Sequence, residues 1–357
     1  MKIIFLAGFN LLIFFNCLAQ ANKKEGTLPD IRSKIITLED PQIKSITNKN
    51  ISDIKVIDAR PDTSSIGFYK TSTGSYYSIV LKTNVADEVS GFLKDYLDIK
   101  SNNDDAGAHI ILVIKKLLLT NELEKYTDEK HSKNDNVSWL SGVIARFEFY
   151  SNNGNGYSPL YRFDTLLSGT DKIGHPNNYL PDVLLLSIKK LLTSDLKNIS
   201  PARKKMSLDE IDTYNQRDFN IPIIGAESYN KGVYKTFEEF KNNAPSIANY
   251  EVAEDKLTKT IFIKDTAGMY PVRDVWGYCD GQHLYIQSAN NYFELVKTEN
   301  TFICNAAKSI SRHRNIKAEN VLMLGAFAGS VGKQNKKVTY NLTLTLFHLD
   351  MESGELL

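Results

Sequence analysis

Only two long stretches of this chain carry helical periodicity, and almost every other apolar segment is patterned as a strand. Val85, Val89, Phe92, Leu93, Tyr96 and Leu97 recur at steps of three and four, which puts them on one helix face. Asn84 stands at the N-cap, with Asp87 and Glu88 near the positive end of the dipole. Leu184, Ile188, Leu191 and Leu192 form a second stripe behind Pro181, a residue tolerated in a first turn. Around these lie strand patterns at 54–59, 66–69, 76–81, 109–119, 143–150 and 161–167. Arg60-Pro61-Asp62 stops the first of them, because proline lacks a donor. Few helices among many strands predict an α+β architecture of mostly antiparallel sheets with helices packed on one face.

The second half repeats that composition of elements. Thr236 and Glu239 fit a capping box, with Phe237 and Phe240 facing inward. Strand patterns at 260–264, 276–279, 284–287 and 292–296 suggest an antiparallel meander, with Asp280-Gly281 as a hairpin turn. Val338, Tyr340, Leu342, Leu344 and Leu346 alternate with mostly threonine and asparagine, the cleanest strand pattern in the chain. The expected organisation is a leader at 1–21, a polar spacer at 22–45, an α+β domain at 46–198, a linker at 199–225 and a second α+β domain at 226–357. Two domains suit a chain of 357 residues.

The leader sets the compartment. Lys2 precedes apolar stretches at 3–7 and 11–15, and Ala19-Gln20-Ala21 supplies a signal-peptidase site. Export to the periplasm or the outer membrane follows as the expectation, with maturation near Asn22. Cys17 offers an alternative tether by lipidation, although Asn16 before it fits that signal poorly. Lys2 is the leader's one charge, so the chain's 43 basic and 42 acidic residues become 42 of each on cleavage. That balance argues against nucleic acid as a partner. No later apolar run has the roughly 18–20 residues needed to span a bilayer.

Familiar chemistry is missing from the motifs. The segment 325–333 is glycine-rich, but a P-loop needs glycine where Phe327 stands and Ser or Thr where Gln334 stands. Histidines 109, 131, 175, 283, 313 and 348 are scattered singly, without metal-ligand spacing. No G-x-S-x-G occurs. The expectation is no catalytic residue, no metal and no cofactor. Cys279 and Cys304 are the only mature cysteines, and they read either as a disulfide closing a loop of 26 residues or as two buried thiols. Asp58, Arg60 and Asp62 form the best polar cluster, able to hold a ligand or to fix a turn. Tyr76, Tyr77, Tyr157, Tyr161 and Tyr179 read either as a recognition surface or as strand-packing aromatics.

The run 54–62, ending in Asp58-Ala59-Arg60-Pro61-Asp62 and followed by Ile66-Gly67, resembles the start of the YajG-like envelope lipoproteins, which open with a strand ending in Asp-x-Arg and a nearby Ile-Gly. The resemblance covers residues 50–198. In the second half, Gly232-Val233-Tyr234, Thr236-Phe237, Phe240 and the run 276–281 resemble segments of uncharacterised secreted proteins of Bacteroidetes. Both resemblances imply an envelope location and no known reaction. The function expected is binding of other envelope components, proteins or polymers. A secreted hydrolase with an interdomain site and a small-ligand binder are the alternatives.

Overall fold

The computed structural model describes residues 28–38, 44–46, 50–71, 73–99, 107–125, 138–152, 156–169, 179–193, 205–254, 259–266, 268–272, 274–307 and 344–357. The leader with Cys17, the glycine-rich segment 325–333, most of the 338–346 pattern, and His131, His175 and His313 lie outside the described residues.

The first lobe is a seven-stranded sheet. Its strands are β1 (Ile31–Ile36), β2 (Ile51–Asp58), β3 (Gly67–Lys70), β4 (Tyr76–Leu81), β5 (Ala108–Lys125), β6 (Ser138–Asn152) and β7 (Tyr157–Gly169), in the order β1-β4-β3-β5-β6-β7, with β2 also on β5. The longest pairings, β5 with β6 and β6 with β7, are antiparallel. β1 runs parallel to β4, and β2 and β3 run parallel to β5. β1 lies within the stretch expected to be a spacer. Its exposed middle hides the strand pattern, and only Ile36 is buried.

Two helices, α1 (Val85–Tyr96) and α2 (Tyr179–Leu192), pack on one face of this sheet. Asn84 caps α1 by accepting from the Asp87 N–H at 2.8 Å. Val89, Leu93, Val183, Leu184 and Ile188 meet Ile110, Leu112, Ile114, Phe147 and Phe149. The intervening residues Ile111 and Val113 point to the opposite face, where they join Ala59, Tyr150 and Ile211. Ile211 belongs to α3 (Leu208–Arg217), which lies in the expected linker together with α4 (Pro222–Gly225). Ser207 and Glu210 form a capping box that starts α3, and Lys115 ties it to β5 through Asn215 at 2.8 Å and through Asp218. Cover on both faces explains why β5 is apolar without a break from Ile110 to Ile114.

The second lobe is an all-antiparallel sheet of six strands. They are β8 (Gly232–Tyr234), β12 (Gly277–Cys279), β13 (Leu284–Ser288), β14 (Asn291–Thr298), β15 (Thr301–Ala306) and β16 (Thr345–His348), in the order β16-β15-β14-β13-β12-β8. One face buries α4, α5 (Phe237–Lys241) and the rings of Tyr234, Phe240 and Phe302. Thr236 caps α5, and Glu239 reaches back to the Lys235 N–H at 2.7 Å. The other face carries Tyr278, Tyr285 and Tyr292 against a small sheet of β9 (Tyr250–Glu254), β10 (Lys259–Asp265) and β11 (Gly268–Pro271). The whole is α+β. No helix among the described residues is long and apolar enough to cross a membrane.

Candidate functional site

The Asp58–Asp62 cluster sits at a gap in a strand ladder. β2 pairs along β5 as far as Ile114, and β3 resumes on the same edge at Leu119. The Ala59 N–H still donates to Ile114 O at 2.9 Å, and Leu119 N–H donates to Ile66 O at 2.6 Å. Between these bonds the chain swings away at Pro61 and re-enters at Gly67. Gly67 has φ +134°, and a Cβ there would lie 2.0 Å from Leu119 O, so only glycine fits.

Arg60 organises the swing. Its Nε and Nη2 donate to the two carboxylate oxygens of Asp58, each at 2.8 Å, and its Nη1 donates to Ser65 O at 2.5 Å. The guanidinium is 4% exposed. Asp62 accepts from the Ser64 N–H at 2.9 Å and the Ser64 hydroxyl at 2.5 Å, closing an Asx turn.

The second lobe plugs the gap. Pro61 O accepts from the Asn300 N–H at 3.0 Å. The Glu299 carboxylate accepts from the Thr63 N–H at 2.7 Å and the Thr63 hydroxyl at 2.9 Å. Glu299 has φ +41° at the tip of the β14–β15 hairpin. That conformation suits Gly or Asn better, and the side chain's bonds to Thr63 account for an acid there. The Thr298 hydroxyl donates to Asp62 Oδ2 at 3.3 Å. His348, on edge strand β16, stacks on Phe68 with ring centroids 4.7 Å apart. Its Nδ1 lies 3.8 Å from Asp62 Oδ2, and its Nε2 is buried with no hydrogen-bond partner among the described residues. Burial pushes the His348 imidazole down to about 4; Asp62 opposes the shift and Arg60 adds to it. The ring is therefore neutral at pH 7.

A charged rim closes the seam on the β5–β7 side. Lys116 meets Asp350 at 2.8 Å with both side chains largely buried, and Arg146 and Arg162 both reach Glu352. Asp164 bridges the same two arginines at 2.5 and 2.7 Å. Burial pushes its carboxyl up, but the bonds and charges of Arg146 and Arg162 outweigh this and hold it below the usual range. Arg60, Asp62, Ser65, Lys116, His348 and Asp350 line a cavity of about 60 Å³ inside the seam.

Asp58, Arg60 and Asp62 thus come together, and they hold a turn and a lobe contact. His348 was not legible as their partner, since nothing local relates it to residue 62. Of the two readings of Cys279 and Cys304, the structure has the buried thiols and not the bridge: both are free. Cys279 lies opposite Leu284, Leu284 opposite Leu295, and Leu295 opposite Cys304. Three strand spacings, about 14 Å, separate the two cysteines, and a disulfide requires Cα atoms within about 7 Å. Burial raises both thiols, which makes them poor nucleophiles. Tyr76 and Tyr179 are buried, Tyr76 donates its hydroxyl to Leu344 O at 2.9 Å, and Tyr161 stacks on Phe149 at 4.7 Å. Among the described residues no three His, Cys, Asp or Glu side chains converge on a metal position.

No family model matches the chain, and no curated protein matches it. A solved structure of an uncharacterised protein is 12% identical over 48% of this chain and 100% of its own, with a TM-score of 0.25. That score carries no argument.

Proposed function

We propose that this is a non-catalytic, two-lobed protein of the cell envelope that works by binding other envelope components. The observation that carries the reading is the seam. Lys116, Arg146 and Arg162 are engaged across the lobes and Arg60 within the first one, and the seam cavity, about 60 Å³, has room for a few waters. Recognition is then left to the outer surfaces of two joined lobes. The leader and the balanced charge support the same reading, as does the resemblance of residues 50–198 to envelope lipoproteins.

Cell fractionation with sequencing of the mature N-terminus tests the location. Recovery in the envelope fraction, starting near Asn22 or at a lipidated Cys17, is expected. Recovery only in the cytoplasm with Met1 intact would end the proposal. Crosslinking in intact cells should give adducts with envelope material that added unlabelled protein competes away.

One observation favours a second reading, an interlobe hydrolase. Asp62 and His348 lie 3.8 Å apart, and Ser65 lines the same cavity. Ser65 Oγ and His348 Nε2 are both sealed and without a partner among the described residues, so a substrate would have to part the lobes. Labelling by a fluorophosphonate that Ser65→Ala abolishes would establish this reading in place of the first.

A further inference from the structure

We infer that the contact between the two lobes is a pH-operated joint, held while the His348 imidazole is neutral and released when that ring takes up a proton. The ring sits at the junction itself, stacked on Phe68 of the first lobe and carried by β16 of the second. Charged groups surround it from each packed element. Arg60 and Asp62 come from the swing between β2 and β3, with Asp58 behind Arg60; Lys116 comes from β5, and Asp350 follows β16. Arg60 is matched to Asp58, and Lys116 to Asp350. Carboxylates, lysine and arginine ordinarily keep their charge between pH 7 and 5, whereas histidine does not.

A proton added to His348 in the closed joint meets poor company. Asp62 is 3.8 Å from Nδ1, beyond a good hydrogen bond, and Nε2 has no acceptor among the described residues. A buried N–H⁺ without an acceptor is costly. Parting the lobes would place the ring in water, where both N–H groups are solvated. The sign follows. The closed joint disfavours the charged ring, so protons bind the open form more tightly and acid shifts the population toward it.

The magnitude follows from a closed-joint value of about 4 against an ordinary 6.5. The open-to-closed ratio then rises about 20-fold between pH 7 and pH 5. Nearly all of that rise lies below pH 6.5.

Hydrogen exchange of the Thr63 and Asn300 amides reads the joint directly, since both N–H groups donate across it. In the full-length protein, after correction for intrinsic exchange, their opening constant is expected to be about 20-fold larger at pH 5 than at pH 7. In His348→Leu it should stay flat. A change under about threefold in the wild type, or an equal rise in the variant, would overturn the inference. Titration of the His348 ring by NMR needs no variant. A ring that titrates near 6.5 while Thr63 and Asn300 remain protected would also overturn it.

Discussion

Replacing Arg60 by methionine keeps the length of the side chain and removes its charge. Three hydrogen bonds are lost, two to the Asp58 carboxylate and one to Ser65 O. Asp58 is 14% exposed, so its carboxylate is left largely desolvated without a counter-ion. Breaking a buried pair from one side costs about 3–5 kcal/mol, most of it the penalty on the orphaned charge. For a lobe of this size that corresponds to a fall in Tm of roughly 6–20 °C. Urea unfolding followed by tryptophan fluorescence and by circular dichroism gives the cost from the midpoint and slope. Asp58→Asn in the same background removes the orphaned charge, so the double variant should be more stable than the sum of the single costs implies, by about 1–3 kcal/mol. Arg60→Lys should recover only part of the loss, because an ammonium cannot hold both carboxylate oxygens and Ser65 O in one plane. An Arg60→Met protein within about 1 kcal/mol of the wild type, or strict additivity with Asp58→Asn, would refute the assignment of Arg60 as the organiser of the gap.

Gly67→Ala should cost more than about 2 kcal/mol in the same unfolding assay, since its Cβ would strike Leu119 O at a φ of +134°. Gly91→Ala, in mid-α1 with nothing within 4 Å, should instead stabilise by about 0.5–1 kcal/mol. Asp164 is held below its usual range in the folded state, so its contribution is present above pH 4 and fades as pH falls through the lowered value. Asp164→Asn should flatten that acid limb of the stability curve. A reductant should leave the Tm unchanged, and maleimide should modify Cys279 and Cys304 only in denaturant, because both thiols are free and buried.

What could be read from the sequence was local. The α1 stripe with its Asn84 cap, the Thr236 cap and the Asp280-Gly281 hairpin each complete their signal within about a dozen residues and form, although Glu239 reaches back to the Lys235 N–H and not to that of Thr236, so the expected box does not close. β1 escaped because its pairing partner is β4, 45 positions on, and only one of its six residues is buried. α3 escaped because its buried residues are just Ile211 and Asn215, so its composition is that of a linker. Its Ser207–Glu210 box was the readable signal. Cys279 and Cys304 stayed open between a bridge and two thiols because spacing along the chain says nothing about how many strands stand between two positions.

The same reasoning explains why the polar cluster was visible and its role was not. Asp58, Arg60 and Asp62 look like a turn because they are one, and the bonds of Asp58 and Arg60 stay inside it, while Pro61, Asp62 and Thr63 also bond the second lobe. Its consequence lies in β5, whose edge from 115 to 118 has no paired strand among the described residues between Ile114 and Leu119. An unpaired edge invites a strand from any chain that passes. Here the far end of this chain supplies the cover, with His348 and Asp350 set over Phe68 and Lys116. The cluster therefore keeps the gap open for the second lobe, whose His348 and Asp350 then cover it beside the Asn300–Pro61 and Thr63–Glu299 bonds.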